Sequence, residues 1–548
     1  MRVWLVIFLA AILLFPALSQ AIRPEVEHAM EAIRPQGLRS HMRFLSDSLL
    51  EGRETGSQGY DVAALYVSAQ LEALGLEPAA EGGWLQRIAL RRAINDGNSR
   101  VTLSRNGEEI PFKYDEQYAV YGDLAHTTST VSAVVVFVGY GISAPELGYD
   151  DYAGIDVRGK IVARLIGAPP QFPADQLAHY AEPIAKQRLA EALGAVGMLV
   201  IPVPEEGGGF SSDMGLFNPK TRGLRAWLNR DGEPSDSFPR MAPLVLLTPS
   251  GSKALFSNSS RALEEIYKTA GLGRVQTFQL PLTATIRGSS RHDNLHSANV
   301  IAKITGSDPK LKDEFVVFSA HLDHLGHCPP VKGDDICHGA SDNASGVASL
   351  LEIARAYKSL PEPPRRSILF AFFTGEEGRW EGSDYFLHFP PVPLDSMVAN
   401  INLDITPGFL DAANFVKAIG ADHSNLSETI KRAAEKCGYI VMPNAVPQSL
   451  PLIASDQYLF FLHGIPAVYM LDSAGGDPMR RKAMLDWSDR VYHTPLDSMD
   501  QPFNFLLAAK TSGLSFLIGY DIAQADDRPR WVPGDFFGTR FGRSSERK

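Results

Sequence analysis

The C-terminal half of this 548-residue chain carries an ordered series of imidazole and carboxylate side chains, each at or just after an apolar run. The segments are VVFSAHLDH, GASDNASGVASLLEIA, ILFAFFTGEEG, VANINLD and VYHTPLD. Imidazole nitrogen and carboxylate oxygen suit zinc, and a catalytic zinc site needs no cysteine. Each residue alone is more typical of a solvated loop, but together they predict a site for two divalent metal ions. The candidates are His321, Asp342, Glu376, Glu377, Asp404 and His493.

The candidate ligands divide between two ions. Asp342 is the expected bridge, because it opens a helix within a polar turn flanked by glycine. One ion would take His321 and Asp404, and the other would take Glu377 and His493. The pattern therefore predicts a pair of metal ions that share one carboxylate.

Glu376 and Glu377 are adjacent, so one side chain can bind metal while the other faces the substrate. A free carboxylate beside a metal-activated water can take a proton from the nucleophile and pass it to the leaving group. The metal would lower the pKa of that water and polarise the carbonyl group. We expect Glu376 to be the general base of a hydrolase.

Two aspartates are placed to orient the histidine ligands. Asp323 lies just beyond His321, and Asp497 lies just beyond His493. A carboxylate that accepts the second ring N–H of a ligating histidine fixes its tautomer and orientation. We expect this role for both aspartates, and Asp323 joins Glu376 as a predicted catalytic residue.

The elements after about Leu280 explain how these residues meet. Strand-like apolar runs alternate with helical patterns, which predicts an α/β fold with a mixed, mostly parallel sheet between layers of helices. Ligands bind outside the carboxyl ends of the strands in such sheets. The predicted strands are SANVIAKITG, DEFVVFSAH, RRSILFAFFTG, MVANINLD and IPAVYML, and the helices are NASGVASLLEIARAYKSL, NLSETIKRAAEKCG and FNFLLAAKTSGLSFLIGYDIA.

The N-terminal half has a different character. Residues 26–90 open with helical periodicity, interrupted by the polar, glycine-rich turn LLEGRETGSQG, which is typical of a solvated turn or of a cleft wall. From about Ser132, runs such as VSAVVVFVGYGI, GKIVARLIG and GAVGMLVIPV predict a small, strand-rich α/β module with its own core. The module has almost no candidate ligands.

Charge and the chain start limit the partners and the location. The formal net charge is −11, so no basic stripe is available for nucleic acid. Arg2, the apolar run 3–15 and the small residues Ser19 and Ala21 predict a cleaved export signal over 1–21, with a membrane anchor as the alternative. No other stretch reads as a membrane span. We expect an exported protein, periplasmic or extracellular, without a stable span after cleavage.

The chain has three cysteines. In an exported protein, Cys328 and Cys337 can form a local disulfide at the rim of the cleft. The alternative is a separate zinc site with nearby histidines, but the spacing of the cysteines exceeds that of the usual zinc-binding pair. Those histidines are His324, His327 and His338. Cys437 is left over.

The motifs SAHLDHLG, GASDNASG, TGEEG, NLD and YHTPLD resemble, in order and approximate spacing, those of the M28 family of co-catalytic zinc exopeptidases, of the bacterial leucyl aminopeptidase type. FVGYGISAPELGYDDYAGIDVRGKIV resembles the start of a protease-associated (PA) domain, and FLSDSLLEGRETGSQGY resembles the family's N-terminal segment. The resemblance implies a zinc-exopeptidase fold with an inserted PA domain. The implied divisions are a signal peptide at 1–21, a peptidase domain split into 22–118 and 281–525, a PA insertion at 119–280 and a tail at 526–548.

The resemblance also implies roles for the site residues. His321 and Asp404 match the ligands of one zinc ion, Glu377 and His493 match those of the other, Asp342 matches the bridge and Glu376 matches the general base. A cis peptide bond between Asp342 and Asn343 is expected. The departures from the family pattern are the Cys328–Cys337 insertion, His338 and Trp380, and these put substrate preference in doubt rather than the metal site.

We therefore expect an exported di-zinc aminopeptidase that acts on peptides with free N-termini. A carboxypeptidase is the alternative, because basic residues that could hold a terminal carboxylate follow the base motif and precede His493. They are Arg379, Arg480, Arg481 and Lys482. A glutaminyl cyclase would need only one metal ion, and a non-catalytic binding protein with the same fold would have lost a ligand.

Overall fold

A computed structural model describes residues 22–204, 223–273, 275–406, 408, 414–443 and 451–543 of the chain. The predicted export signal at 1–21 lies outside these residues. The helices are α1 Pro24–Glu31, α2 Pro35–Leu45, α3 Gln58–Ala73, α4 Ala174–Ala181, α5 Pro183–Ala192, α6 Pro249–Phe256, α7 Leu263–Gly271, α8 Ser345–Ser359, α9 Glu376–Arg379, α10 Glu381–His388, α11 Leu426–Lys436, α12 Gln457–Leu462, α13 Pro478–Arg490, α14 Phe505–Gln524 and α15 Phe536–Phe541.

The strands fall into two main sheets that share β13. They are β1 Glu77–Pro78, β2 Leu85–Asn95, β3 Arg100–Arg105, β4 Glu108–Ile110, β5 Tyr118–Val120, β6 Thr128–Phe137, β7 Ser143–Ala144, β8 Tyr149–Asp150, β9 Ile161–Leu165, β10 Gly197–Ile201, β11 Leu224–Trp227, β12 Val245–Leu247, β13 Phe278–Ile304, β14 Phe315–His321, β15 His327–Val331, β16 Asp334–Ile336, β17 Ser367–Phe373, β18 Met397–Asn402, β19 Phe415–Ile419, β20 Ile440–Val441 and β21 Ala467–Asp472.

The first sheet has a parallel centre, as the sequence predicts. Strands β17, β14, β18 and β21 lie side by side in parallel, and β13 and β19 flank them in antiparallel pairings. Every residue of β14, β17 and β18 is buried. Such continuous apolar runs are typical of strands that are covered on both faces. The predicted mixed, mostly parallel sheet between helices is confirmed.

Helices cover both faces of this sheet. Helices α2, α8 and α14 pack on one face in a single apolar cluster with β14 and β17, whereas α10 and α12 pack on the other. Helix α14 is long and apolar enough to cross a membrane, contrary to the expectation that no such stretch follows the signal, but 67% of its apolar window is buried inside the fold. Burial of that kind is typical of a core helix in a globular domain.

The second sheet forms the predicted strand-rich module. Strands β6, β9, β10 and β12 run parallel, β5 pairs antiparallel with β12, and the sheet has its own apolar clusters. Strand β13 spans 27 residues and takes part in both sheets. Its first half pairs with β6 and β3, and its second half pairs with β2 and β17. The divisions at 118/119 and 280/281 remain predictions, and β3 already belongs to the second sheet.

Residues 526–543 fold back on the body. Phe537 is fully buried in the cluster that contains α12, and the Trp531 ring lies 5.7 Å from that of Phe461. This described part of the tail therefore closes one end of the core rather than extending into solvent.

Candidate di-metal site

Three neighbouring parallel strands deliver the site residues to one edge of the first sheet. His321 is the last residue of β14, Glu376 and Glu377 begin the short helix after β17, and Asp404 follows β18. Because parallel strands end at the same edge, these side chains converge there. Asp342 reaches the same place from the turn before α8, and His493 from the turn after α13.

The side chains form two clusters that meet at Asp342. In the first, His321 Nε2 lies 3.1 Å from Asp342 Oδ1 and 3.2 Å from Asp404 Oδ1. In the second, His493 Nε2 lies 3.1 Å from Asp342 Oδ2 and 3.3 Å from Glu377 Oε2. Each oxygen of Asp342 therefore faces a different cluster. This is the geometry expected of a bridging carboxylate, and the structure brings all five predicted ligands together.

The donor set fits zinc. It consists of imidazole nitrogens and carboxylate oxygens, and four of the five ligand residues are at least 95% buried, namely His321, Asp342, Glu377 and Asp404. Carboxylates packed this closely in a dry site repel one another unless cations lie among them. The two clusters are therefore two candidate metal sites.

Glu376 lies beside the clusters with a partner of its own. Trp380 Nε1 donates a hydrogen bond to Glu376 Oε1 over 3.2 Å, so the residue that departs from the family pattern contacts the predicted base. Burial raises the pKa of Glu376 well above its usual value, while His321 opposes that rise and Asp404 adds to it. Divalent cations in the adjacent clusters would lower this pKa toward the ionised form that a base needs.

Asp323 organises the turn that carries the two glutamates. Its carboxylate accepts hydrogen bonds from the backbone N–H of Glu376 over 3.1 Å and from Thr55 Oγ1 over 3.0 Å. His321 Nδ1 lies 3.1 Å from the backbone oxygen of Asp323 but 3.8 Å from its carboxylate. The expected contact with His321 is thus made by the main chain of Asp323, while its side chain holds the base in place.

Asp497 positions the bridge. Its carboxylate accepts hydrogen bonds from the backbone N–H groups of Ser341 and Asp342 over 2.8 and 3.0 Å. The Asp342–Asn343 peptide bond is cis, as expected. That Asp497 orients His493 remains a prediction, but Asp497 binds the turn that carries Asp342 directly.

Arg53 joins the loops beneath the site, a role that the sequence did not predict. The side chain is fully buried and donates hydrogen bonds to the backbone oxygens of Leu322, His338 and Gly339 over 2.9 to 3.1 Å. These carbonyl groups belong to the loops that carry Asp323 and Asp342. The glycine-rich turn around Arg53 is therefore part of the wall of the cleft.

Two further buried residues lie at the site; the sequence suggested no role for Asp456 and, for His324, only the alternative zinc site with the cysteines. Burial raises the pKa of the Asp456 carboxyl to about 7, and Ser383 donates a hydrogen bond to this group. His324 is 1% exposed, with Nδ1 2.6 Å from Glu377 Oε1. Neither lies at the end of a central parallel strand, so the strand-end pattern could not identify them.

The rim of the cleft carries the predicted disulfide. Cys328 and Cys337 are bonded, with their Cα atoms 5.9 Å apart, which overturns the alternative zinc site at these cysteines. His338 Nε2 lies 2.9 Å from Asp334 on the same loop. Arg379, one of the possible carboxylate binders, pairs with Glu182 at the start of α5 in the second module.

The similarity of this sequence to known proteins covers part of the chain. The sequence model of peptidase family M28 matches residues 299–511. Aminopeptidase YwaD of Bacillus subtilis (strain 168) is 30% identical over 213 residues, 38% of this chain and 41% of the relative. Aminopeptidase NAALADL1 of Mus musculus is 28% identical over 232 residues, 38% of this chain and 29% of the relative. The chain thus matches less than half the length of either protein.

A solved structure shares the overall fold. The aminopeptidase from Aneurinibacillus sp. strain AM-1 superposes with a TM-score of 0.51 and 19% identity, over 92% of this chain and 97% of that chain. At this identity the likeness concerns the fold alone. The segment matched by the family contains every predicted ligand and the predicted base. The similarity to peptidase family M28 therefore lies in residues 299–511.

Proposed function

We propose that this protein is an exported di-zinc aminopeptidase, which removes N-terminal residues from peptides in the periplasm or outside the cell. The observation that carries the proposal is Asp342, whose two oxygens face separate clusters of metal-binding side chains beside the carboxylate of Glu376. The relatives named above are aminopeptidases, and the M28 match covers the whole site.

The protein's own residues would handle the protons of peptide hydrolysis. Zinc ions held by the two clusters would supply Lewis acidity for the carbonyl and favour ionisation of the attacking water. Glu376 would take the proton from that water and deliver it to the leaving amine. Trp380 holds one oxygen of Glu376, and Asp323 fixes the backbone N–H of the same residue, so the base is oriented before substrate binds.

Charge favours a free N-terminus over a free C-terminus as the recognised end. The cleft concentrates buried carboxylates, which attract the ammonium group of a peptide. Arg379 is paired with Glu182, and Lys482 with Asp486, so these two candidate binders of a terminal carboxylate have carboxylate partners already. Both observations support the aminopeptidase over the carboxypeptidase.

We further propose that the second module is a PA domain that forms one wall of the substrate entrance. Glu182 at the start of α5 pairs with Arg379, which follows the base. Within the predicted insertion, strand β11 pairs with β2 of the first sheet, and its Trp227 donates a hydrogen bond to Asp384 of α10 over 2.6 Å. A cavity of about 520 Å³ lies between the module and the peptidase helices and is lined in part by Trp380. The indole thus separates this cavity from the base.

Substrate profiling tests the proposed function. Purified protein loaded with zinc is given a library of aminoacyl fluorogenic amides, their N-acetylated forms and peptides with a C-terminal reporter. We expect hydrolysis of the free-amine substrates alone. Cleavage of the C-terminal reporters with blocked N-termini would identify a carboxypeptidase, and binding of fewer than two zinc ions per chain would contradict the di-zinc site.

A further inference from the structure

The imidazole ring of His324 is buried against the second cluster, that of Asp342, Glu377 and His493, and its nitrogens make no hydrogen bond to the described residues. Its side chain is fully enclosed, and across the described residues neither ring nitrogen has a hydrogen-bond partner. Burying an imidazole without hydrogen bonds costs free energy, because its nitrogens lose their hydrogen bonds to water and gain none in the protein. A ring nitrogen that has no hydrogen bond and faces metal-binding carboxylates is placed to bind a metal ion.

The imidazole faces the same carboxylates as His493 does. His324 Nδ1 lies 2.6 Å from Glu377 Oε1 and 3.9 Å from Asp342 Oδ2. Glu377 Oε1 also lacks a hydrogen-bond partner among the described residues, so the short contact does not have the direction of a hydrogen bond. Donors about 2.0–2.1 Å from a tetrahedral zinc are roughly 3.3 Å apart, and the observed separations lie on either side of that value.

The fold holds this ring in one place. The backbone N–H of His324 donates to the Arg53 carbonyl oxygen over 3.2 Å, and a β-bridge joins His324 to Glu54. The ring packs against Gly339, where an added Cβ would come within 2.6 Å of it. Gly339 has a φ of 60°, so glycine is favoured there for two independent reasons.

We propose that His324 is a fourth protein ligand of the metal ion held by Asp342, Glu377 and His493, bound through Nδ1. The inference rests on the proposed di-zinc function and adds one residue to its ligand set. It makes the two sites unequal. The site of His321 and Asp404 has three protein donors with the bridge, as is typical of a catalytic zinc, whereas the other has four, as is typical of a tightly held zinc.

Cobalt substitution tests the coordination directly. A histidine bound to Co²⁺ through one nitrogen shows the N–H of its other nitrogen as a strongly shifted, exchangeable proton NMR signal. In the protein loaded with two Co²⁺ ions we expect three such signals, from His321, His324 and His493. His324→Ala should give two, and His327→Ala, on the exposed rim three residues away, should give three.

Metal retention provides a second measurement. In a graded chelator titration, wild-type protein should lose its two zinc ions in separate steps. His324→Ala should lower the zinc affinity of the tighter site more than ~100-fold. Loss of a residue outside the ligand shell typically lowers metal affinity only about 10–100-fold. His324→Gln preserves the volume if the alanine variant does not fold. Two signals in wild-type protein, or an affinity of the tighter site lowered by no more than ~100-fold, would overturn the proposal. Wild-type protein that binds fewer than two ions would instead contradict the di-zinc function itself.

Discussion

His423 joins the first sheet's domain to the second module and to the tail, and its contacts predict how the stability of the protein changes with pH. Its Nδ1 lies 2.6 Å from Asp535 at the start of α15, and its Nε2 lies 3.3 Å from Asp175 in α4 of the second module. Burial lowers the pKa of His423, but the two carboxylates outweigh burial and raise this pKa to about 9. The protonated ring therefore fastens the tail to the second module.

The sign and the size of the effect follow from the shift. The folded pKa of about 9 exceeds the unfolded pKa of ~6.5, so the contribution to stability is fully present below about pH 6.5 and is lost as the pH rises through about 9. At about 1.4 kcal/mol per pKa unit, the upper limit is roughly 3 kcal/mol. The partial exposure of Asp175, at 40%, reduces this value through solvent screening.

Melting temperatures of wild-type protein and His423→Gln, measured from about pH 6 to about pH 10, isolate this contribution. We expect the variant to melt about 1–3 °C lower near pH 6, at about 1 °C per kcal/mol for a chain of this length, and the gap to close by about pH 10. His327→Gln, at an exposed rim position, should show no pH-dependent gap. A gap that stays constant or widens with pH would refute the charge-based account.

Three further predictions concern the site. Glu376→Gln should lower kcat by at least ~10²-fold because the proton carrier is lost, while zinc content stays at two per chain by elemental analysis; retained turnover would exclude Glu376 as the base. Chelation should abolish peptidase activity and added zinc should restore it, and an active chelated protein would exclude metal dependence. Arg53→Met should lower the free energy of unfolding by about 3–5 kcal/mol and weaken zinc binding. The variant removes the hydrogen-bond donor of the backbone carbonyl groups beneath the site and the positive charge near its buried carboxylates. Calorimetry and zinc titration measure both effects, and Arg39→Met on the exposed face of α2 is the matched control, which should change neither.

The central sheet and the ligand positions could be predicted because their signals are local. Continuous apolar runs identify β14, β17 and β18, and a polar residue directly after such a run must lie at the sheet edge. The cis bond before Asn343 came from the family resemblance rather than from the residues themselves.

The unpredicted features depend on pairings between distant segments. The polar run from Ser290 to His296 gives no strand signal, yet it is strand because β2 pairs with it residue by residue. Arg53 and His324 act through contacts with loops far away in sequence. Neither periodicity nor residue type contains that information.

Strand β13 has a mechanical consequence. It leaves the second sheet and enters the first without a loop, whereas the chain passes between β2 and β3 through a turn at 96–99. At the junction β13 stays paired, with β6 up to Ser289 and with β2 from Ser290 onward, so the backbone has no unpaired hinge residue there. A rotation of one sheet against the other would therefore twist β13 itself, whose last residues pair with β17, the strand that leads into Glu376. We expect a change at the second sheet to reach the base along this strand.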